Sequence, residues 1–239
     1  MLGYTFRKGL LDGIPIGIGY LSVAFAFGIF TVANGLRVTD ALLISMTNVT
    51  SAGQLAAVPI IAGGGMLSEL AVSQLVINLR YALMSVTLSQ KFDKTVRLLD
   101  RFLIAFVNTD EVFAVAMMQK EPVGRHYLYG LMLTPYVGWS VGTVLGAVAG
   151  DVLPDIITSA LGIAIYGMFV AIVVPAARAS RATAVCVLLA AALSCTFYYV
   201  PVLKTVPSGF VIIICAVITA GIMALVAPLP QESEVAERA

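Results

Sequence analysis

The chain contains few charged residues. Lysine, arginine, aspartate and glutamate together make up 11% of its 239 residues, whereas hydrophobic residues make up 60%. In a typical soluble domain about a quarter of the residues are charged, so this shortage excludes an ordinary water-soluble protein. The mean hydropathy of +0.99 indicates a membrane protein. The formal net charge of +1 argues against nucleic-acid binding.

Residues with metal-binding or catalytic chemistry are equally scarce. The single histidine, His126, leaves no room for a histidine-based metal cluster. The three cysteines, Cys186, Cys195 and Cys215, lie in apolar runs without CxxC spacing, so neither a disulfide framework nor a metal site is expected. The sequence has no HExxH or GxSxG motif and no aspartate pair arranged for intramembrane proteolysis. An enzyme is therefore not expected, and no cofactor is implied.

Long hydrophobic runs dominate the chain. A membrane-spanning helix needs about 20 mainly apolar residues. The segments that qualify are 11–34, 40–62, 66–89, 101–118, 127–149, 155–177, 182–200 and 207–227. Their connections are short, which predicts an all-α polytopic membrane protein with one transmembrane domain, 11–227. An N-terminal segment, 1–10, precedes this domain and a polar C-terminal tail, 228–239, follows it.

The distribution of basic residues tests how many segments cross. Eight crossings with an inner N-terminus put seven basic residues inside and six outside, which is no bias. If 101–118 dips in and returns, seven crossings with an outer N-terminus put ten inside and three outside. In 101–118 the stretch "NTDE" forms a polar tip between two apolar arms. We therefore predict about seven transmembrane helices plus one re-entrant segment; a short straight helix with a polar centre is the alternative.

Two parts of the chain resemble each other weakly and suggest repeats 11–89 and 127–200. Each has a proline near the start of its first span and a glycine-studded helix, then a turn ending in aspartate (Asp40, Asp155). The two copies have opposite orientations in the seven-crossing arrangement, and inverted repeats are common in secondary transporters. Chance similarity between apolar helices is the competing explanation.

The polar stretch "TNVTSAGQ", 47–54, interrupts the second span. It predicts a local unwinding at mid-depth, where the positive end of the following half-helix would suit a carboxylate. A tightly packed polar contact between helices is the alternative. The candidate substrate-binding residues in this stretch are Asn48, Thr50, Ser51, Gly53 and Gln54.

One arginine lies in the apolar run "LVINLRYALM". Arg80 precedes Lys91 by eleven residues, which places it about 15 Å deep in a helix. Asp110 and Glu111 follow Arg101 by nine and ten residues and reach a similar depth. Both segments enter from the same basic loop, residues 90–101, so the three charges can meet near mid-membrane.

This predicted charge cluster has a structural and a functional interpretation. Arg80 can neutralise one carboxylate and simply fix the fold. The second acid would then be desolvated and able to load and release a proton, and intramembrane ionisable groups are usually functional. The sequence does not decide between Asp110 and Glu111 as the coupling acid. Asn78 and Asn108 lie at a similar level and complete the substrate-binding candidates.

A glycine ridge marks the fifth span. Small residues at four-residue spacing let another helix approach closely, so we expect a helix-packing role. The ridge consists of Gly138, Gly142, Gly146 and Gly150. We expect Trp139, within this ridge, to have a packing or interfacial role.

Four motifs occur in the order of a known family. "TSAGQLAAVPII", "VINLRYALMS", "NTDEVFAVAM" and "GWSVGTVLGAVAG" resemble the AzlC-type branched-chain amino acid permeases, and the resemblance runs from about residue 10 to residue 200. It implies a multi-pass exporter of the bacterial cytoplasmic (inner) membrane. It further implies efflux of leucine, isoleucine, valine and often methionine, driven by an ion gradient, and a small AzlD-like membrane partner.

The residues are compatible with an amino-acid substrate. Arg80 and the 48–54 break could hold its carboxylate, while Asp110 or Glu111 could take its ammonium, the coupling proton, or each in turn. An apolar pocket separates side chains by only about 1–3 kcal/mol per methylene, so overlap among aliphatic substrates is expected. The remaining alternatives are a channel-like pore and a structural subunit of a complex for another small zwitterionic or apolar solute.

Overall fold

The computed structural model describes residues 5–152, 154, 170 and 173–227. The first four residues, most of the predicted span 155–177 and the tail 228–239 lie outside this part of the chain. The helices are α1 (Phe6–Ala33), α2 (Val38–Thr47), α3 (Ser51–Ala62), α4 (Leu67–Ser89), α5 (Leu98–Phe106), α6 (Asp110–Met118), α7 (Arg125–Val152), α8 (Arg181–Tyr199) and α9 (Ser208–Val226), with a 3₁₀ turn at Pro201–Thr205 and further helical residues at 173–179.

Five helices, α1, α4, α7, α8 and α9, are long and apolar enough to cross a membrane. The described residues contain no named strand, and their β-structure is one isolated bridge between Phe92 and Val123. The predicted class, an all-helical membrane protein, is therefore confirmed. The described part contains five of the seven expected spans, and the predicted span 155–177 lies mostly outside it.

Helices α1 and α7 form the most closely packed pair. Gly9 near the start of α1 lies against Tyr127 near the start of α7, and Gly28 near the end of α1 lies against Thr143. The two helices therefore run in the same direction. We call the end of the bundle at which both begin the lower end, and the end at which α1 finishes the upper end.

This direction changes the interpretation of the proposed repeat. In the seven-crossing arrangement, 11–89 and 127–200 have opposite orientations, so α1 and α7 should be antiparallel. They are parallel, because successive positions along α1 meet successive positions along α7. The second helix of the later copy lies mostly outside the described residues.

The second apolar segment is broken where the sequence predicts. Helix α2 ends at Thr47 and α3 begins at Ser51, with extended backbone at Thr50 (φ −144°, ψ 119°). The Thr50 hydroxyl accepts a hydrogen bond from Gly53 N at 3.0 Å and so caps the new helix. The predicted unwinding within 47–54 is confirmed.

This segment does not cross the membrane, however. Gln54 in α3 donates a hydrogen bond to Ser45 in α2 at 3.0 Å, which requires α3 to turn back beside α2. Val58 then packs with Phe27 in a cluster near the upper end of α1. The predicted crossing 40–62 is thus wrong: α2 and α3 form a hairpin that enters and leaves at the upper end. Hydropathy does not distinguish this hairpin from a membrane-spanning helix, because both of its arms are as apolar as a span.

Helices α5 and α6 form a second hairpin, which enters from the lower end. Lys91, just before α5, donates to the carbonyl oxygen of Met117 at 2.7 Å. Val123, just after α6, donates to the Lys91 carbonyl at 2.9 Å. Both ends of the segment therefore lie at the same end of the bundle. The predicted return of 101–118 agrees with this geometry, and the straight-helix alternative does not.

The two hairpins repeat the same local structure. In each, an arginine precedes the first arm, its N–H donates to an aspartate three residues later (2.9 and 2.7 Å), and a threonine caps the second arm. Each follows one long helix, α1 or α4, and the hairpins enter from opposite ends. Three matching pairs are 60 residues apart: Arg37 and Arg97, Asp40 and Asp100, and Asn48 and Asn108. Inverted repetition therefore relates α1–α3 to α4–α6.

The basic residues gather at one end in this topology. Of those that flank the helices up to α7, Arg37 alone lies at the upper end. The eight at the lower end are Arg7, Lys8, Lys91, Lys94, Arg97, Arg101, Lys120 and Arg125. The sequence predicts that the N-terminus and the basic loop 90–101 lie on opposite sides of the membrane. This prediction is wrong, because the two re-entrant hairpins put both at the same end of the bundle.

Cysteine labelling should reveal the first hairpin. In a variant without the three native cysteines, Thr39→Cys and Met66→Cys are expected to react with a membrane-impermeant maleimide from the same side, because both flank the hairpin. Lys94→Cys should react only from the other side. All three side chains are exposed. Labelling of positions 39 and 66 from opposite sides would restore 40–62 as a crossing.

Candidate functional site

The tips of the two hairpins meet at one cavity in the middle of the bundle. It has a volume of about 110 Å³, and both second arms begin on it, α3 with Thr50 and Ser51, and α6 with Thr109 and Asp110. A larger groove of about 680 Å³ lies beside the 3₁₀ turn that joins α8 to α9, away from the charge cluster. The central cavity is therefore the candidate site, because it combines enclosure with convergent polar groups.

The α6 side of this cavity is acidic. Asp110 Oδ2 forms an ion pair with Arg80 Nη2 at 2.7 Å. The same guanidinium donates to the Tyr81 hydroxyl at 2.9 Å and lies 4.8 Å from the centre of that ring. Tyr20 O–H donates to Glu111 Oε2. Both acids occupy the first turn of α6, where the helix dipole favours negative charge.

This acidic side is open within the described chain. The side chains of Arg80 and Asp110 are 57% and 45% exposed, and Glu111 is also exposed. The pair is consequently reachable by a solute or a proton. A charged pair at mid-depth also needs water or further protein around it, since lipid would not solvate it.

The α3 side of the cavity carries no charge. The first turn of α3 contains no acidic residue. A helix N-terminus attracts an anion, so this end of α3 could accept one from a ligand. Trp139 of α7 lines the cavity beside this helix end and is 3% exposed. Its ring meets Tyr20 edge to face, with ring centres 4.9 Å apart. Its indole N–H has no hydrogen-bond partner among the described residues.

Several predicted substrate-binding residues instead hold the first hairpin to α4. Asn48 and Asn78 both donate to Gln74 Oε1, at 2.9 and 3.2 Å. Gln74 Nε2 in turn donates to the Gly53 carbonyl at 2.9 Å. These groups hold the broken segment against α4 and do not line the cavity.

Two further candidates have similar structural positions. Gln54 is fully buried and bonds to Ser45, whose hydroxyl lies 2.6 Å from that of Thr143 on α7. Asn108 donates to Ser85 on α4 at 3.0 Å and so positions the second hairpin. Of the predicted substrate-binding residues, Thr50 and Ser51 line the cavity.

The glycine ridge of α7 faces α1. A Cβ at Gly138, Gly142 or Gly146 would overlap backbone carbonyl oxygens of α1, and one at Gly150 would lie 3.2 Å from Ile29 Cα. The ridge therefore lies where the two helices touch and not on the cavity.

Aromatic residues of the site were missed at the sequence level. Tyr20 and Tyr81 line the cavity together with Trp139, for which packing was expected. The 60-residue spacing of the hairpins supplies a signal, because Tyr20 precedes Arg80 by the same 60 residues. Both contact the acids of α6 from matching helices.

Comparison with known proteins identifies the family. An uncharacterized membrane protein of Archaeoglobus fulgidus is 34% identical over 172 residues, which cover 71% of this chain and 75% of the relative. The inner membrane protein YgaZ of Escherichia coli is 28% identical over 236 residues, covering 95% and 94% respectively. No solved structure matches. A family model described as AzlC protein matches residues 15–153, more than half of the sequence, and this multi-pass membrane protein therefore belongs to the AzlC family.

Proposed function

We propose that this protein is a secondary transporter that exports leucine, isoleucine, valine and methionine across the bacterial cytoplasmic membrane, coupled to protons. The observation that carries the proposal is the meeting of two half-helix N-termini, from hairpins of opposite direction, at one central charged cavity. Broken helices with this arrangement serve substrate and ion binding in secondary transporters.

The charges of the site support an amino-acid substrate. Arg80 contributes one positive charge and the two acids contribute two negative charges, which leaves one surplus negative charge. Since Arg80 already pairs with Asp110, we assign the surplus to Glu111. A substrate ammonium or a proton would neutralise it, and competition between the two would couple their movements.

The two hairpins give a physical route to alternating access. Basic residues favour the cytoplasmic side, so we propose that the lower end of the bundle is cytoplasmic. The α5–α6 hairpin would then close the cavity from the cytoplasm, and the α2–α3 hairpin would close it from outside. Movement of one hairpin at a time would expose the same site to each side in turn.

We also propose a small AzlD-like membrane subunit as the partner. The open Arg80–Asp110 pair lies near exposed apolar side chains of α4, such as Leu79 and Leu83. A partner covering this face would remove the charged pair from lipid. Co-purification with such a subunit, followed by loss of the complex in a Leu79→Lys variant, is the direct check.

Efflux from proteoliposomes tests the transport function. Vesicles preloaded with radiolabelled leucine should release it faster when a proton gradient is imposed. The proton gradient should also drive leucine against the leucine concentration gradient. Release that follows only the leucine gradient would favour a channel-like pore. No leucine movement, with or without the small subunit, would contradict the proposal and leave a structural role or another solute.

A further inference from the structure

We propose that the N-terminus of α3 and the indole N–H of Trp139 together bind the carboxylate of the transported amino acid, while the Glu111 side of the cavity receives its ammonium. This inference rests on the proposed function and adds the polarity with which the substrate lies in the site. It also assigns a substrate-binding role to the tryptophan.

The start of α3 offers unused backbone donors. The first N–H groups of an α-helix have no partner within the helix. Here Gly53 N bonds to the Thr50 hydroxyl and Gln54 N bonds to the Thr50 carbonyl, at 3.0 Å each. The N–H groups of Ser51 and Ala52 come before them and make no hydrogen bond within the described residues. The positive end of the helix thus has two unused donors, and Ser51, which carries the first of them, lines the cavity.

The tryptophan supplies an independent observation. Trp139 is 97% buried, lines the same cavity and has a buried Nε1 without a partner in the described part of the chain. A buried donor that lacks an acceptor carries a desolvation cost, which an acceptor supplied by a ligand would offset. An indole N–H only donates, so the missing group must be an acceptor such as a carboxylate oxygen.

The remaining positive groups near the cavity already have negative or polar partners. Arg80 pairs with Asp110 and bonds to Tyr81, and the N-terminus of α6 carries its own two acids. The two helix ends therefore differ in character: that of α6 is acidic and that of α3 is uncharged. A zwitterion matches this difference, with its anionic end at α3 and its cationic end at α6.

Substitution at position 51 can remove one backbone donor without breaking the helix. Ser51 is the first residue of α3, where proline is favoured because its missing N–H has no helical partner. Thr50 before it has the extended backbone that a following proline requires. Ser51→Pro therefore deletes one proposed carboxylate donor, and Ser51→Ala, which keeps the N–H and loses only the hydroxyl, measures the contribution of the hydroxyl separately.

The measurement is competition for radiolabelled leucine binding to the purified full-length chain, using leucine and leucinol, which lacks the carboxylate. Ser51→Pro and Trp139→Phe are each expected to weaken leucine binding about tenfold, as for the loss of one hydrogen bond to a charged group. Leucinol binding should change little, so the preference for leucine over leucinol falls. Ser51→Pro should lower this preference further than Ser51→Ala does.

Each outcome decides a different point. Unchanged leucine preference in both folded variants would overturn the carboxylate assignment while the transport function stands. Equal loss of leucine and leucinol affinity would also overturn it, since the residues would then act on the pocket and not on the carboxylate. Failure of the wild type to bind leucine would contradict the proposed function itself. If Ser51→Pro does not fold, Trp139→Phe decides the same comparison.

Discussion

Glu111→Gln is expected to abolish proton-driven, uphill efflux of leucine while leaving a folded protein. Asp110 pairs with Arg80, whereas Glu111 accepts a hydrogen bond from Tyr20 and has no ion pair among the described residues, so we expect Glu111 to be the acid that exchanges a proton or an ammonium. Glutamine preserves the shape and removes the titratable charge. The rate of leucine exchange should also fall about tenfold, the effect of one charge-assisted hydrogen bond.

Proteoliposome efflux across a range of pH checks this expectation. The residual exchange of the Glu111→Gln variant should lose the pH dependence of the wild type, since the proposed proton-binding group is gone. Glu121→Gln, the same change in the exposed connection after α6, is the matched control and should behave as wild type. Normal uphill efflux in Glu111→Gln would remove this residue from the coupling mechanism.

Asp110→Asn should behave differently, and the comparison separates the two acids. It would leave Arg80 without its ion-pair partner, so protein yield and thermal stability should fall together with transport. Combining it with Arg80→Gln removes both charges and should recover part of the stability, because no uncompensated charge remains. The Glu111 variant should need no such rescue.

The charge cluster was accessible from the sequence for a simple reason. Helical rise and loop position place Arg80, Asp110 and Glu111 at one depth, and few other charged residues compete for that depth. The same reasoning identified the break within 47–54, since polar residues are dense there. These inferences need only local geometry.

The direction of each arm after a break was not accessible in the same way. Hydropathy is identical for a segment that crosses and one that turns back, so 40–62 was assigned as a span. The hairpin follows from contacts across the chain, such as Gln54 with Ser45 and Val58 with Phe27. Because that segment turns back, most basic residues lie at one end of the bundle. The outer N-terminus that the seven-crossing arrangement required is then no longer needed.

Several of the polar side chains predicted to bind substrate make hydrogen bonds within the protein, for a related physical reason. An unwound segment exposes backbone groups that need partners, and side-chain amides are well suited to supply them. In the structure Gln74 supplies such a partner to the Gly53 carbonyl, while Asn48, Gln54 and Asn108 donate to side chains of neighbouring helices. A composition-based prediction cannot separate such groups from those that face a ligand, and it undervalues aromatic residues such as Trp139.

Gly146→Ala is expected to destabilise the protein severely, by about 3 kcal/mol or more. The added Cβ would overlap the carbonyl oxygen of Phe25, which belongs to the backbone of α1 and cannot rotate away. Forcing extra atoms into a close-packed contact typically costs about 1–3 kcal/mol, and a backbone obstacle places this site at the upper limit. The α1–α7 pair would have to separate along much of its length, which would also displace Tyr20 and Trp139 from the cavity.

Gly221→Ala makes the same chemical change without the obstacle. Gly221 lies within α9, and a Cβ there would meet no other element of the described chain within 4 Å. Alanine is better than glycine in a helix by roughly 0.8–1 kcal/mol, so this variant should be as stable as wild type or slightly more stable. Thermal unfolding in detergent, followed by circular dichroism, compares the two. Equal unfolding temperatures would mean that α1 and α7 do not approach as closely as the glycine ridge requires, and the position of the aromatic wall of the cavity would have to be revised with them.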